Sequence, residues 1–180
     1  MIPHKTRQEA QPAYVLHTYP FRETSLVVEV FSQNFGRLAL VARGARRPRS
    51  AVRGLLLAFQ PLHLAWFGKS ELRTLHAAEW QGGQPLLRGQ ALICGFYLNE
   101  LLLKLLARED PHEQLFRHYR EALQELAHDP DHAAVLRRFE TRLLKELGYA
   151  LMLDCEADSG QAVEPERHYH YLFERGPVLH

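Results

Sequence analysis

The hydrophobic repeat of this chain changes period at Gly82-Gly83, and that switch constrains the fold more than any other feature. Before it, short stretches carry β-branched and aromatic residues and are separated by turn signals. Residues 13–19 (AYVLHTY), 25–32 (SLVVEVFS), 37–42 (RLALVA), 61–67 (PLHLAWF) and 71–79 (ELRTLHAAE) each read as a strand. In residues 37–42 Leu38, Leu40 and Ala42 share one face, and in 61–67 Leu62, Leu64 and Trp66 do. Pro20 is expected to end the first strand, Asn34-Phe35-Gly36 to close a hairpin, and Gly68-Lys69-Ser70 to turn the chain. Residues 1–12 are polar and expected to fray. Five short strands with tight connections predict a small closed barrel or a sandwich.

After the switch the apolar spacing is helical. Residues 85–106 predict one long helix with Pro85 in its first turn, and Leu92, Phe96, Leu103 and Leu106 recur along it. Ile93, Leu98, Leu101, Leu102 and Leu105 widen the stripe, which is expected to place this helix centrally in a bundle. Cys94 reads as a small buried apolar residue. Residues 111–127 predict a second helix, with Asp110 a candidate N-cap. A third runs to Leu147, started by Asp129-Pro130 or by Asp131, and stopped by Gly148. Residues 149–153 and 169–173 are compatible with short strands or helix-packing segments, and 154–167 reads as a loop. The fold class is therefore α+β, with a strand domain over residues 1–82 and a helical domain over 83–180.

Charge points to function. The net charge is only +1, yet residues 1–82 hold 11 Lys+Arg against 5 Asp+Glu, while residues 83–180 hold 11 against 16. A basic first half and an acidic second half predict surfaces with different partners. The basic charge concentrates in residues 43–54, RGARRPRSAVRG, where Arg43, Arg46, Arg47, Arg49 and Arg53 have no acidic residue among them. Gly44, Pro48 and Gly54 punctuate the stretch, so neither helix nor strand is expected through it. Guanidiniums so close repel one another unless an anion lies across them, and their planar forks suit phosphate oxygens. A solvated basic loop is the bland alternative. Arg22, Arg37, Lys69 and Arg73 are expected to extend the basic face. Aromatics interleave with it: Phe21 and Phe35, in connections, are expected to be exposed as base-stacking platforms, and Phe31 and Trp66 to lie in the barrel core.

The residues Y-V-L-H-T-Y-P-F-R-E-T-S-L-V-V-E-V-F-S-Q-N-F-G-R-L-A-L-V-A-R-G-A-R-R, the helix P-L-L-R-G-Q-A-L-I-C-G-F-Y-L-N-E-L-L-L-K-L-L and the later L-R-R-F-E-T-R-L-L-K-E-L-G-Y together resemble the RecO family of bacterial recombination-mediator proteins. The resemblance implies an N-terminal five-stranded OB-fold barrel followed by a C-terminal helical domain. It also implies binding of single- and double-stranded DNA, annealing of complementary strands, and help in loading a recombinase onto DNA coated by single-strand-binding protein. The implied partners are the acidic tail of single-strand-binding protein and a RecR-type ring protein. Family members usually continue past the position of His180, so the helical domain is expected to be short relative to them.

The acidic tail needs an apolar pocket with a cation at its mouth. Arg137, Arg138 and Arg142, beside Phe139 and Leu143, are the expected receivers. Some family members carry a four-cysteine zinc site after the third helix; here only Cys155 remains, near Asp158. A mixed site with His168 and His170 is disfavoured by the lack of a second thiolate, and no metal or other cofactor is expected. No nucleophile elbow or phosphate-cradling glycine loop is present, so no enzymatic turnover is expected. Two cysteines, no apolar leader and no long apolar run imply a cytoplasmic protein, nucleoid-associated when on DNA. The competing reading, from another class, is an adaptor whose basic loop docks an acidic protein segment.

Overall fold

The computed structural model describes residues 7–173 and 175–180. Of residues 1–12, expected to fray, residues 1–6 lie outside the described residues, and residues 7–12 correct the expectation by forming the start of the first strand, where they pair with a neighbouring strand. The elements run β1 (Arg7–Phe21), β2 (Ser25–Ser32), β3 (Gly36–Ala42), α1 (Ala51–Leu55), β4 (Leu62–Phe67), β5 (Leu72–Trp80), α2 (Gly89–Leu105), α3 (Glu113–His128), α4 (His132–Glu146), β6 (Tyr169–Leu172) and β7 (Gly176–Leu179). They form two compact units, one ending at Phe139 and the other starting at Glu140.

In the first unit five strands close into a barrel in the order β1-β2-β3-β5-β4, with β3 and β5 parallel and the other described pairs antiparallel. This is the OB-fold arrangement. Alternation fills the interior: Val28 and Val30, Leu38 and Leu40, and Leu62, Leu64 and Trp66 all point inward. β1 is longer than its composition suggests. Its first residues pair with β4, and Pro20 pairs with Leu26 instead of ending the strand. A proline near a strand end is tolerated where its missing N–H leaves no gap in the ladder.

Between Val15 and His17 the register of β1 against β2 shifts by one residue. Before the shift Ala13 and Val15 point inward, while Tyr14 and Leu16 are buried outside the barrel. Phe31, opposite Tyr14, also lies on this outer face, which corrects its expected place in the barrel core. Its ring packs edge-on against Phe116 of α3 with centroids 5.4 Å apart, and Tyr14 meets Phe116 and Tyr119 at 5.4 and 5.2 Å. A buried polar chain ties the layers together. Tyr119 Oη donates to Asn99 Oδ1 of α2, and Asn99 Nδ2 donates to the Leu16 carbonyl at 2.9 Å. Burial pushes the Tyr14 phenol up to about 12, partly opposed by Arg120. It pushes Tyr119 well above the usual tyrosine range, with Tyr14 adding to the rise.

The helices depart from expectation at their starts. α2 begins at Gly89, not at Pro85. Gly82, Gly83 and Gly89 all take positive φ, and the segment between them runs back alongside the helix. Leu87 is buried there and lies so near Gly95 that a Cβ at that glycine would stand 2.7 Å from Leu87 Cδ1. α2 is also not enclosed on all sides: Ile93 is 70% exposed and Phe96 51%. Asp110 does not cap α3, whose N-cap is His112. Its backbone is instead pressed against Gly36, where φ is +65° and any Cβ would meet the Asp110 carbonyl. Asp131, the second of the two expected starts, caps α4 through a bond from the Ala134 amide at 3.1 Å.

In the second unit Gly148, at φ +83°, ends α4 in a Schellman turn: its amide donates to the Lys145 carbonyl, and the Tyr149 amide to the Leu144 carbonyl. β6 and β7 pair as a hairpin, while residues 149–153 adopt neither helix nor strand.

Candidate nucleic-acid interface

The arginine-rich stretch is an ordered cap on one end of the barrel. Ala45 is fully buried in the barrel core, and Val52 and Leu56 pack onto that core beside it. The Arg46 amide donates to the Thr24 carbonyl at 2.9 Å, tying the stretch to the β1–β2 turn. Turns at Gly44–Arg47 and Arg47–Ser50 follow. Residues 51–55 then form the short helix α1, which corrects the expectation that no helix enters this stretch. With its few apolar side chains turned inward, the cap holds Arg43, Arg46, Arg47, Arg49 and Arg53 on the outside, all exposed. Among the described residues none of the five has an ion-pair partner.

Arg43 and Arg47 meet Arg22 across a groove of about 580 Å³ whose other walls are Phe21, Thr24, Ser25, Val41, Gly44, Leu72 and Thr74. The groove thus combines three guanidiniums, three hydroxyls and an aromatic ring. Arg22 takes φ +52° in the β1–β2 turn, its carbonyl accepts from Arg46 Nη1 at 3.3 Å, and its guanidinium lies 5.2 Å from the Phe21 ring centroid. Val41, Leu72 and Thr74 were not singled out in the sequence; the parallel pairing of β3 with β5 brings them here.

Four other expected contributors sit elsewhere. Arg37 is turned into the fold: its Nε donates to the Leu106 carbonyl at 3.1 Å, and Nη1 lies 3.7 Å from Glu29. Glu29 is only 5% exposed and is also paired with Arg108. Arg73 is ion-paired to Glu109 at 2.9 Å with its side chain largely buried. Both arginines therefore brace the α2–α3 connection against the barrel, because carboxylates distant in sequence reach them first. Phe35 is part-buried against the barrel core, its ring edge-on to Trp66 at 5.3 Å, so it offers no open face. Lys69 is exposed, but Leu72 stands opposite Ala39, so Lys69 lies toward the start of β3, away from Arg43.

On α4, Arg138 is half-exposed and bound to Glu125 at 2.6 Å, with Asp129 at 3.9 Å. Arg137 is exposed and Arg142 part-buried, and neither lacks an interaction. In the second unit Asp158 pairs with Arg175 at 2.6 Å, and His170 stacks on His180 at 4.3 Å. Among the described residues no three His, Cys, Asp or Glu side chains converge as a metal site would need, and no helix is long and apolar enough to cross a membrane.

Comparison with known proteins agrees with this architecture. Residues 7–83 match the family model described as Recombination protein O N terminal, and residues 86–176 match Recombination protein O C terminal. A protein of Nitrosospira multiformis named DNA repair protein RecO is 65% identical over 174 residues, covering 97% of this chain and 72% of its own. A Dechloromonas aromatica protein of the same name is 62% identical over 177 residues, covering 97% and 73%. With both family segments matched in order, a barrel of the matching kind and relatives at such identity, the chain belongs to the RecO family.

Proposed function

We propose that this chain is a DNA-binding recombination mediator. It binds single- and double-stranded DNA, anneals complementary strands and helps load a recombinase onto DNA coated by single-strand-binding protein, without turning over a covalent bond itself. The observation that carries this reading is the ordered cap of five exposed arginines, none with an ion-pair partner among the described residues, at the Arg22–Arg43–Arg47 groove. Phosphate contacts of this kind bind without reading bases, and they screen the charge of two strands brought together. Arg43, Arg46, Arg47, Arg49, Arg53 and Arg22 are the phosphate ligands in this reading. The family resemblance adds a RecR-type ring protein and the acidic tail of single-strand-binding protein as partners. Arg138 would receive that tail by exchanging the Glu125 carboxylate for the tail's own.

The test is affinity for a mixed-sequence oligonucleotide across a salt series. Reversing Arg46, Arg47 and Arg49 to Glu should flatten the log–log slope by about 2–3, at about 0.9 per lost duplex phosphate contact. The melting temperature should change little, since these side chains are exposed and the Arg46–Arg22 carbonyl bond lies at the surface. A folded triple mutant with unchanged DNA affinity rules the reading out and leaves the acidic-partner adaptor as its successor.

A further inference from the structure

The one-residue shift in β1 has a second effect. Past it, the outward positions of the strand become His17, Tyr19 and Phe21, paired in turn with Glu29, Val27 and Ser25 of β2. These residues continue the same outer face that carries Tyr14 and Phe31, but α2 and α3 cover only the part before the shift. Beyond it the face is open: His17 is exposed and Tyr19 is 46% exposed. The His17 and Tyr19 rings are in contact, with centroids 4.4 Å apart and planes 59° from parallel. Phe21, next in the stripe, forms a wall of the basic groove. Three rings thus occupy alternate positions of one strand, a backbone repeat of about 6.6 Å, and end at a cluster of arginines.

We propose that His17, Tyr19 and Phe21 form a stacking stripe for the bases of single-stranded DNA, whose phosphates lie on Arg22, Arg43 and Arg47. The proposal rests on the DNA-binding reading above and deepens it by assigning this face to single strands. Every nucleobase offers a π-face, so such a stripe grips a single strand without sequence preference. A duplex keeps its base faces stacked inside and has only phosphates to offer. The guanidinium over Phe21 occupies the place a base would take, and it can move to a phosphate when one arrives. Val27 and Val41, opposite each other on β2 and β3, continue the apolar floor beside Tyr19.

The experiment compares affinities of the full chain for an oligothymidylate and for a duplex of equal length, in the parent and in Tyr19→Leu, Phe21→Leu and the double mutant. Each single change should weaken single-strand binding about fivefold to tenfold, at the low end for loss of a base–aromatic stack, and move duplex binding by less than about twofold. Tyr19→Phe should restore parent affinity. Equal losses on both substrates overturn the proposal. So does unchanged single-strand affinity in the leucine variants while the Arg46/Arg47/Arg49 reversal abolishes binding; that outcome leaves the basic groove standing. A parent that binds neither DNA overturns this proposal together with the function it rests on. Should the leucine variants fail to fold, photocrosslinking of an iodouracil-substituted oligothymidylate to the parent decides: adducts on residues 17–21 support the stripe, and adducts confined elsewhere refute it.

Discussion

Arg37 and Arg47 look alike in the sequence, and the structure separates them sharply enough to measure. The perturbation is Arg37→Met, which keeps the apolar stem and removes the guanidinium. That side chain is 16% exposed and makes a charge-assisted bond to the Leu106 carbonyl, a contact worth about 1.5–3 kcal/mol. It also stands 3.7 Å from Glu29, which would keep Arg108 but lose its second cation in a buried setting. Outright loss of a buried partner costs about 3–5 kcal/mol, and the surviving Arg108 holds the cost here to the lower part of that range. Both contacts belong to one guanidinium, so these costs overlap and do not add; taken together at near 3 kcal/mol, they should lower the melting temperature by about 6–12 °C for a chain of this size. Thermal unfolding followed by circular dichroism reads this directly, and DNA titration across a salt series should return the parent slope. Arg47→Met should do the reverse: no change in melting, and a slope shallower by about 0.9. If Arg37→Met melts like the parent and flattens the slope, Arg37 is a phosphate ligand and the reasoning from its burial fails.

The Tyr119–Asn99–Leu16 chain makes a second prediction: Tyr119→Phe leaves Asn99 Oδ1 buried without its donor and should cost about 1–3 kcal/mol, seen as a lower melting temperature. The two raised phenols also set an alkaline limit. An unfolded tyrosine titrates near pH 10, while Tyr14 holds its proton to about 12 and burial raises Tyr119 well above the usual tyrosine range, so their contribution is full below pH 10 and is lost as pH rises through the folded-state values. Ultraviolet titration should show these two phenols ionising only with unfolding. Finally, Gly36→Ala combines a positive φ with a Cβ driven into the Asp110 carbonyl, and should destabilise by more than about 2 kcal/mol in chemical denaturation.

Much of the barrel is legible because its interior is built by plain alternation. Leu38, Leu40 and Ala42, and Leu62, Leu64 and Trp66, point inward as a period of two requires. The helices are legible in extent but not in their starts. The cause is glycine: positive φ at Gly82, Gly83 and Gly89 lets residues 85–88 fold back so that Leu87 reaches Gly95, a long-range contact with no local sign. The basic site is half legible. Charge density marks residues 43–54 correctly as an exposed cluster, but it says nothing about which arginines meet a carboxylate. Glu29 claims Arg37 and Glu109 claims Arg73, across eight and thirty-six residues of chain, and only the closed barrel and its helical brace bring them together.

The least legible feature, the shift at Leu16, also organises the site. Strict alternation from Tyr14 onward would place Leu16, Thr18 and Pro20 outside and send His17, Tyr19 and Phe21 into the barrel. A one-residue slip inverts every later side chain. Here it occurs within the strand: Leu16 stays outside to give its carbonyl to Asn99, and His17 points outward as well. The same outer sheet surface is thereby divided. Upstream it is aromatic and covered by helices that need a dry partner for Phe116 and Tyr119. Downstream His17 and Tyr19 are exposed, and the part-buried Phe21 runs into the arginine groove. Without the extra residue the downstream rings would point into the interior already filled by Val28, Leu26, Trp66 and Phe35. A bulge that re-aims side chains next to a binding face is a recurrent use of this irregularity. It lets one strand serve both the helical layer that stabilises the barrel and the open face on which we place DNA.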